Sequence, residues 1–131
     1  MEMMFYDNIP TGTWNFYYES GQLERVENYA SKEIIQTWTT KNKATYSGQL
    51  HGLYQSFYET GKLRDQATLN YGVLNGKKIF CDSVSKMKEV MRFENGIQQG
   101  NTDLYDSTGI LTVSGFYQNG KLISAVYYYR D

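Results

Sequence analysis

Few side chains in this sequence have the type and setting for chemistry. His51 stands between Leu50 and Gly52 at the expected start of a strand, with no serine or cysteine at a motif spacing that it could activate as a general base. It reads as an exposed or hydrogen-bonding imidazole. Cys81, the one cysteine, shares a column of large apolar groups with Phe57 and Tyr105. It therefore reads as a buried small hydrophobe, since a reactive thiol needs an electropositive, accessible setting. One thiol makes no intramolecular disulfide, and with one histidine it makes no zinc cluster. Asp82 and Asp106 fall in one column with Tyr58, and Glu19 matches Glu59. Two aspartates on consecutive hairpins have the types for an acid and base pair. Beside turns, however, such carboxylates accept hydrogen bonds from backbone amides, and that is the expectation here. No glycine-rich phosphate loop is present. The residues imply neither an enzyme nor a cofactor nor a metal.

The elements that position these residues recur with a fixed spacing. Gly52, Gly76 and Gly100 superpose when the sequence is shifted by 24, as do Gly48, Gly72, Gly96 and Gly120, and Leu63, Met87 and Leu111. A shift of 40 lays Gly12 to Leu23 on Gly52 to Leu63, and Trp14 to Trp38 is 24 again, so one short unit lies between. A period in the twenties is the signature of a repeat architecture. Within each unit two turn signals alternate with two strand-like runs. The first turn is carried by Ser20-Gly21, Thr60-Gly61 and Thr108-Gly109, with Val84-Ser85 as a degraded copy. The second is carried by Asn95-Gly96 and Asn119-Gly120, with Ser47-Gly48 and Tyr71-Gly72 alongside. Asn-Gly supplies the positive φ that two-residue hairpin turns demand.

Alternation then assigns faces. Leu63, Ala67 and Leu69 oppose Arg64, Gln66 and Thr68; Met87, Met91 and Phe93 oppose Lys86, Lys88 and Arg92; Leu111, Val113 and Tyr117 oppose Thr112 and Ser114. Such strands are half-buried, as in an antiparallel sheet with one side in water. The opening strands carry apolar groups on both faces. Gly52, Gly76 and Gly100 stand where a strand already runs, and the expectation is a large ring from an adjacent unit lying over each.

Gly12-x-Trp14-x-x-Tyr17-Tyr18-Glu19-Ser20-Gly21-Gln22-Leu23 and Tyr54-x-x-Phe57-Tyr58-Glu59-Thr60-Gly61-Lys62-Leu63 resemble the MORN-repeat variant, with the pattern G-x-W-x-x-Y-Y-E-N-G-Q-L. The resemblance runs over about residues 12 to 123, and the unit around Asp82 to Met87 keeps only the apolar skeleton. It implies successive antiparallel hairpins in an elongated, twisted sheet. Proteins of this kind are often labelled YwqK-like antitoxins, so it further implies a non-catalytic, bacterial protein-binding module that neutralises a toxin as an immunity protein does.

The expected fold is all-β, an antiparallel meander of tandem hairpins in one twisted and curled sheet, forming a single domain over residues 1–131. Its units are 12–35, a truncated 36–51, then 52–75, 76–99, 100–123 and a terminal strand 124–131. In the truncated unit Thr37 to Thr40 and Ala44 to Tyr46 are short arms around a Lys41-Asn42-Lys43 tip, leaving a notch in the sheet. Lys32 replaces the turn glycine before it. Phe5-Tyr6 adds an edge strand closed off by Pro10, and Ser83 to Glu89 is the one place for a helical turn.

With 131 residues, 40% hydrophobic and 16% aromatic, the chain is a folded domain rather than a disordered one. A net charge of −1 offers no general attraction to nucleic acid or anionic membrane. Met1 to Thr11 lacks a basic n-region and a long apolar run, so a cytoplasmic address is expected, without membrane insertion.

Rings carry the functional signal. Trp14, Phe16, Tyr18, Trp38, Tyr54, Tyr58, Phe80 and Tyr128 read mostly as core. One sheet cannot bury both faces, so Tyr17, Trp38, Phe57, Tyr105, Tyr127 and Tyr129 are the candidate partner-binding residues. The tyrosine-rich terminal strand offers unpaired backbone, and pairing with a second copy is one way to cover it. Two readings follow: an antitoxin that occludes its partner with the aromatic face or the acidic turn edge, or a scaffold module that self-associates.

Overall fold

A computed structural model describes residues 4–129. Its elements are β1 (Met4–Tyr6), β2 (Ile9–Tyr17), β3 (Leu23–Tyr29), α1 (Lys32–Asn42), β4 (Gly52–Phe57), β5 (Leu63–Asn70), β6 (Val73–Cys81), β7 (Lys88–Glu94), β8 (Ile97–Gln98), β9 (Gly100–Tyr105), β10 (Leu111–Gln118) and β11 (Lys121–Tyr127). The strands form one open, 11-stranded antiparallel sheet in chain order, with β8 paired only to β7. This is the expected all-β meander of hairpins.

Turn chemistry sets the meander. Asn95-Gly96, Asn119-Gly120 and Tyr71-Gly72 each place two successive residues at positive φ, 49° and 83°, 51° and 82°, 48° and 82°. That is the two-residue turn whose twist matches the flanking strands. At the other margin the chain bulges as it leaves the turn. The register shifts between Phe16 and Tyr17, between Ser56 and Phe57, and between Leu111 and Val113, so that Tyr17 faces Leu23, Phe57 faces Leu63 and Tyr105 faces Leu111. An extra residue moves every side chain beyond it to the other side. Leu63 and Leu111 therefore leave the face of Ala67 and Val113, where unbroken alternation had put them.

The truncated hairpin is not there. Residues 32–42 form a helix, and β3 pairs directly with β4 through Arg25 opposite Ser56 and Val26 opposite Gln55, with Tyr29 bridging Leu50. The sheet thus has no notch. Ser31 caps the helix, its side chain accepting from the Ile34 amide at 3.2 Å, and Lys43 ends it in the left-handed region with its amide on the Thr39 carbonyl. Residue 32, read as a missing turn glycine, is the first helical residue after that cap. Ile34, Ile35 and Trp38 share one helical face, which packs with Ala30 and Tyr46 against Tyr6, Ile9 and Tyr71. This cluster at one margin is the core; Ala67 and Val90, buried on opposite faces, are the only other buried hydrophobic side chains among the described residues.

Two smaller expectations also change. Gly52, Gly76 and Gly100 hold φ of 105°, 108° and 90°, and the atoms nearest a side chain placed there belong to Asn28, Thr68 and Arg92 rather than to rings. Their backbone conformation requires glycine. β1 forms as expected, but Pro10 lies within β2, opposite Phe5, rather than ending the pairing. Residues 83–85 make turns and no helix.

Candidate protein-binding face

Cross-strand pairs lie on one side of a sheet, so the register defines both faces. One row crosses the molecule as Phe16, Arg25, Ser56, Asp65, Phe80, Glu89, Leu104, Val113 and Tyr127. Beside it on this first face run Tyr54, Ala67, Lys78 and Met91. The second face carries Val26, Gln55, Gln66, Ile79, Val90, Asp103, Ser114 and Val126.

The two faces differ in how far they satisfy themselves. On the second, Gln55 donates to Gln66 at 2.8 Å, Ser114 to Asp103 at 2.7 Å, Arg92 to Asp103 at 2.9 Å and Thr13 to Asn28 at 2.6 Å. Burial pushes the Asp103 carboxyl up, but the Ser114 and Arg92 hydrogen bonds outweigh it and hold the group below the usual range. The first face has charge pairs too, Arg25 with Glu24 and Glu27, and Arg64 with Asp65. Tyr29 donates to Glu27 at 2.7 Å, and burial together with that bond pushes its hydroxyl up to about 12. Between these pairs stand the apolar groups Phe16, Tyr54, Phe80, Met91 and Leu104. Among the described residues no element forms a second layer over them, because each strand packs chiefly on its sheet neighbours and α1 sits against the margin.

Turn residues hold successive hairpins in register. Tyr18 donates its hydroxyl to the Phe57 carbonyl and Tyr58 to the Cys81 carbonyl, both at 2.6 Å. In the next two units Asp82 and Asp106 take the tyrosine's position and accept amide hydrogens of their own turns, from Val84 and Ser85 and from Thr108 and Ile110. The Ser85 and Val84 amides hold the Asp82 carboxyl below its usual range. The turn-capping expectation for both aspartates holds. At the opposite margin His51 Nδ1 accepts from the Tyr71 amide at 3.0 Å, and Asn75 and Gln99 accept from the Asn95 and Asn119 amides at 3.1 and 2.7 Å. His51 is thus a repeat position that ties one turn to the next. Cys81 is partly buried at the end of β6.

The candidate rings do not converge on one surface. Tyr17, Phe57 and Tyr105 lie on the second face near the bulged margin, Tyr17 being 57% exposed and the other two partly buried. Tyr127, 69% exposed, lies on the first face. Trp38 is on α1, edge-on to Tyr46 at 5.3 Å in the core cluster. Tyr129 follows β11 and is 96% exposed. Tyr54 and Phe80 belong to the ring set that reads mostly as core, and both lie on the open first face. The signal was available in the absence of any segment long enough to cover that side.

A family model described as the MORN repeat variant matches residues 10–31 and 50–71. These two stretches are the β2–β3 hairpin and the β4–β5 hairpin, and the gap between them holds α1. Two hairpins of this chain thus match the MORN repeat variant. MORN repeats are in general protein- or membrane-binding motifs and not enzymatic ones. Beyond the matched stretches the hairpins continue through β6–β7 and β9–β10. No curated protein matches the chain. No helix is long and apolar enough to cross a membrane, and no group of three or more metal-ligating side chains occurs among the described residues.

Proposed function

We propose that this chain is a non-catalytic protein-binding repeat, and that its partner is a toxin which it holds inactive by steric occlusion in the cytoplasm. The observation that carries the binding reading is the first face, where Tyr54, Phe80, Met91 and Leu104 lie on adjacent strands with no element covering them. A hairpin array fixed by tyrosine and turn contacts loses little freedom on docking, which favours a steric mode of inhibition. The toxin assignment draws on the family resemblance.

A second reading has its own observation. All seven residues of β11 are exposed, with β10 paired to one side of the strand and none of the described strands on the other. Such an edge is a template for strand pairing, and a scaffold that self-associates through it is the alternative. Capture from lysate of the source cell with the immobilised protein separates the two. A single stoichiometric protein, harmful when produced alone and harmless when co-produced, supports the antitoxin. Recovery of the chain's own copies alone, with a dimer in light scattering, overturns it in favour of the scaffold.

A further inference from the structure

The first face contains a groove of about 340 Å³ between β4, β5 and β6. Leu50, Tyr54, Ala67, Leu69, Leu74 and Lys78 line it. Register explains why it is open. Leu69 lies opposite Gly52 on one side and Leu74 on the other, so the glycine leaves a gap beside two leucines; Tyr54, Ala67 and Lys78 form the next row.

Charge in the groove is unbalanced. Asp65 at its rim is already held, accepting from Ser56 at 2.9 Å and from Arg64 at 3.2 Å. Lys78 is partly buried as a residue, and among the described residues no carboxylate lies within 4.0 Å of its ammonium. An ammonium without a carboxylate partner beside an apolar floor attracts an incoming anion, and a large apolar side chain fills the rest.

We infer that this groove is the anchor site for the protein partner, and that it takes a partner segment bearing a large aliphatic side chain next to a carboxylate. The inference rests on the protein-binding reading above and names the chemistry of that partner. The carboxylate pairs with Lys78 and the aliphatic group sits between Tyr54, Leu69 and Leu74. A segment with a basic residue at the same place is rejected.

The test uses the full chain, labelled with 15N, and three acetylated, amidated tetrapeptides, Gly-Leu-Asp-Gly and its Asn and Lys counterparts at the third position. The expected result is amide shifts centred on Tyr54, Leu69, Leu74 and Lys78, with the Asp peptide binding about tenfold more tightly than the Asn peptide and the Lys peptide weakest. Lys78→Glu, which reverses the charge and keeps Tyr54, Leu69 and Leu74 in place, reverses the order of the Asp and Lys peptides. No shifts in the groove, shifts elsewhere on the sheet, or an order unchanged by Lys78→Glu overturns the inference. Titration of a captured partner keeps the two levels apart. A partner that binds wild type and Lys78→Glu equally overturns the groove and leaves protein binding standing. Failure to capture any partner, with peptide shifts in the groove, strikes the reading of a dedicated partner and leaves the groove's chemistry.

Discussion

The Tyr58 hydroxyl donates to the Cys81 carbonyl 2.6 Å away, joining a turn of one hairpin to the strand that ends 23 residues later, and Tyr18 makes the same bond to Phe57 across α1. Each is a contact between units, so it bears on the array more than on one hairpin. Tyr58→Phe removes the donor and leaves a partly buried carbonyl without it. The expected loss is about 1 kcal/mol, read as a lower urea midpoint with an unchanged slope. An unchanged midpoint would mean the bond is matched by water.

His51 fills a position that Asn75 and Gln99 fill in later units, each accepting a turn amide. The Nδ1 atom is the acceptor, so the neutral ring carries its proton on Nε2. The ring also lies 4.4 Å from Tyr71, which holds φ of 48°. His51→Ala should cost about 1–2 kcal/mol and His51→Asn about half of that, since asparagine keeps an acceptor but not the ring contact. Equal costs for the two would show that stacking alone matters.

Gly72 and Gly109 separate strain from crowding. Both hold positive φ, 82° and 86°, but a side chain at Gly72 meets the Gln49 Cβ at 2.8 Å, whereas one at Gly109 meets nothing within 4 Å. Gly109→Ala should cost about 1–2 kcal/mol, the strain term alone. Gly72→Ala should cost clearly more by the same denaturation assay.

The depressed Asp103 carboxyl, held by Ser114 and Arg92, makes stability depend on pH. A group whose folded-state value lies below its unfolded value of about 3.9 contributes stability above that value and loses it as pH falls through the folded one. The gap between wild type and Asp103→Asn should therefore be widest near neutrality and should narrow below about pH 4. A gap that is constant with pH would assign the effect to geometry and not to charge.

Much of the fold was open to sequence reasoning because its punctuation is chemical. Asn95-Gly96 and Asn119-Gly120 announce tight turns, and the repeated Tyr-x-x-Gly-x-Leu register places the strands between them. Two things escaped. The first is α1: Ile34, Ile35 and Trp38 have helical spacing, but the expectation of another hairpin, set by Trp14 and Trp38, hid Ser31 as a cap. The second is the bulge after the turns at Gly21, Gly61 and Gly109, which no parity count sees and which carries Leu63 to the side opposite Ala67. The binding surface was half legible for the same reason. That some rings must face water follows from size alone, but which ones depends on the bulges and on what α1 covers. Phe57 and Tyr105 thus fall on one side and Phe80 and Tyr127 on the other.

Phe80 and Phe116 make the decisive pair, for both are exposed, at 36% and 43%, on opposite faces of the same sheet. The measurement is calorimetric titration of the captured partner into wild type, Phe80→Asp and Phe116→Asp, each first shown to be folded. Binding through the first face predicts affinity within about twofold of wild type for Phe116→Asp and at least about tenfold weaker for Phe80→Asp, the loss of an interface anchor. Equal affinities for the two, or the greater loss in Phe116→Asp, would contradict it.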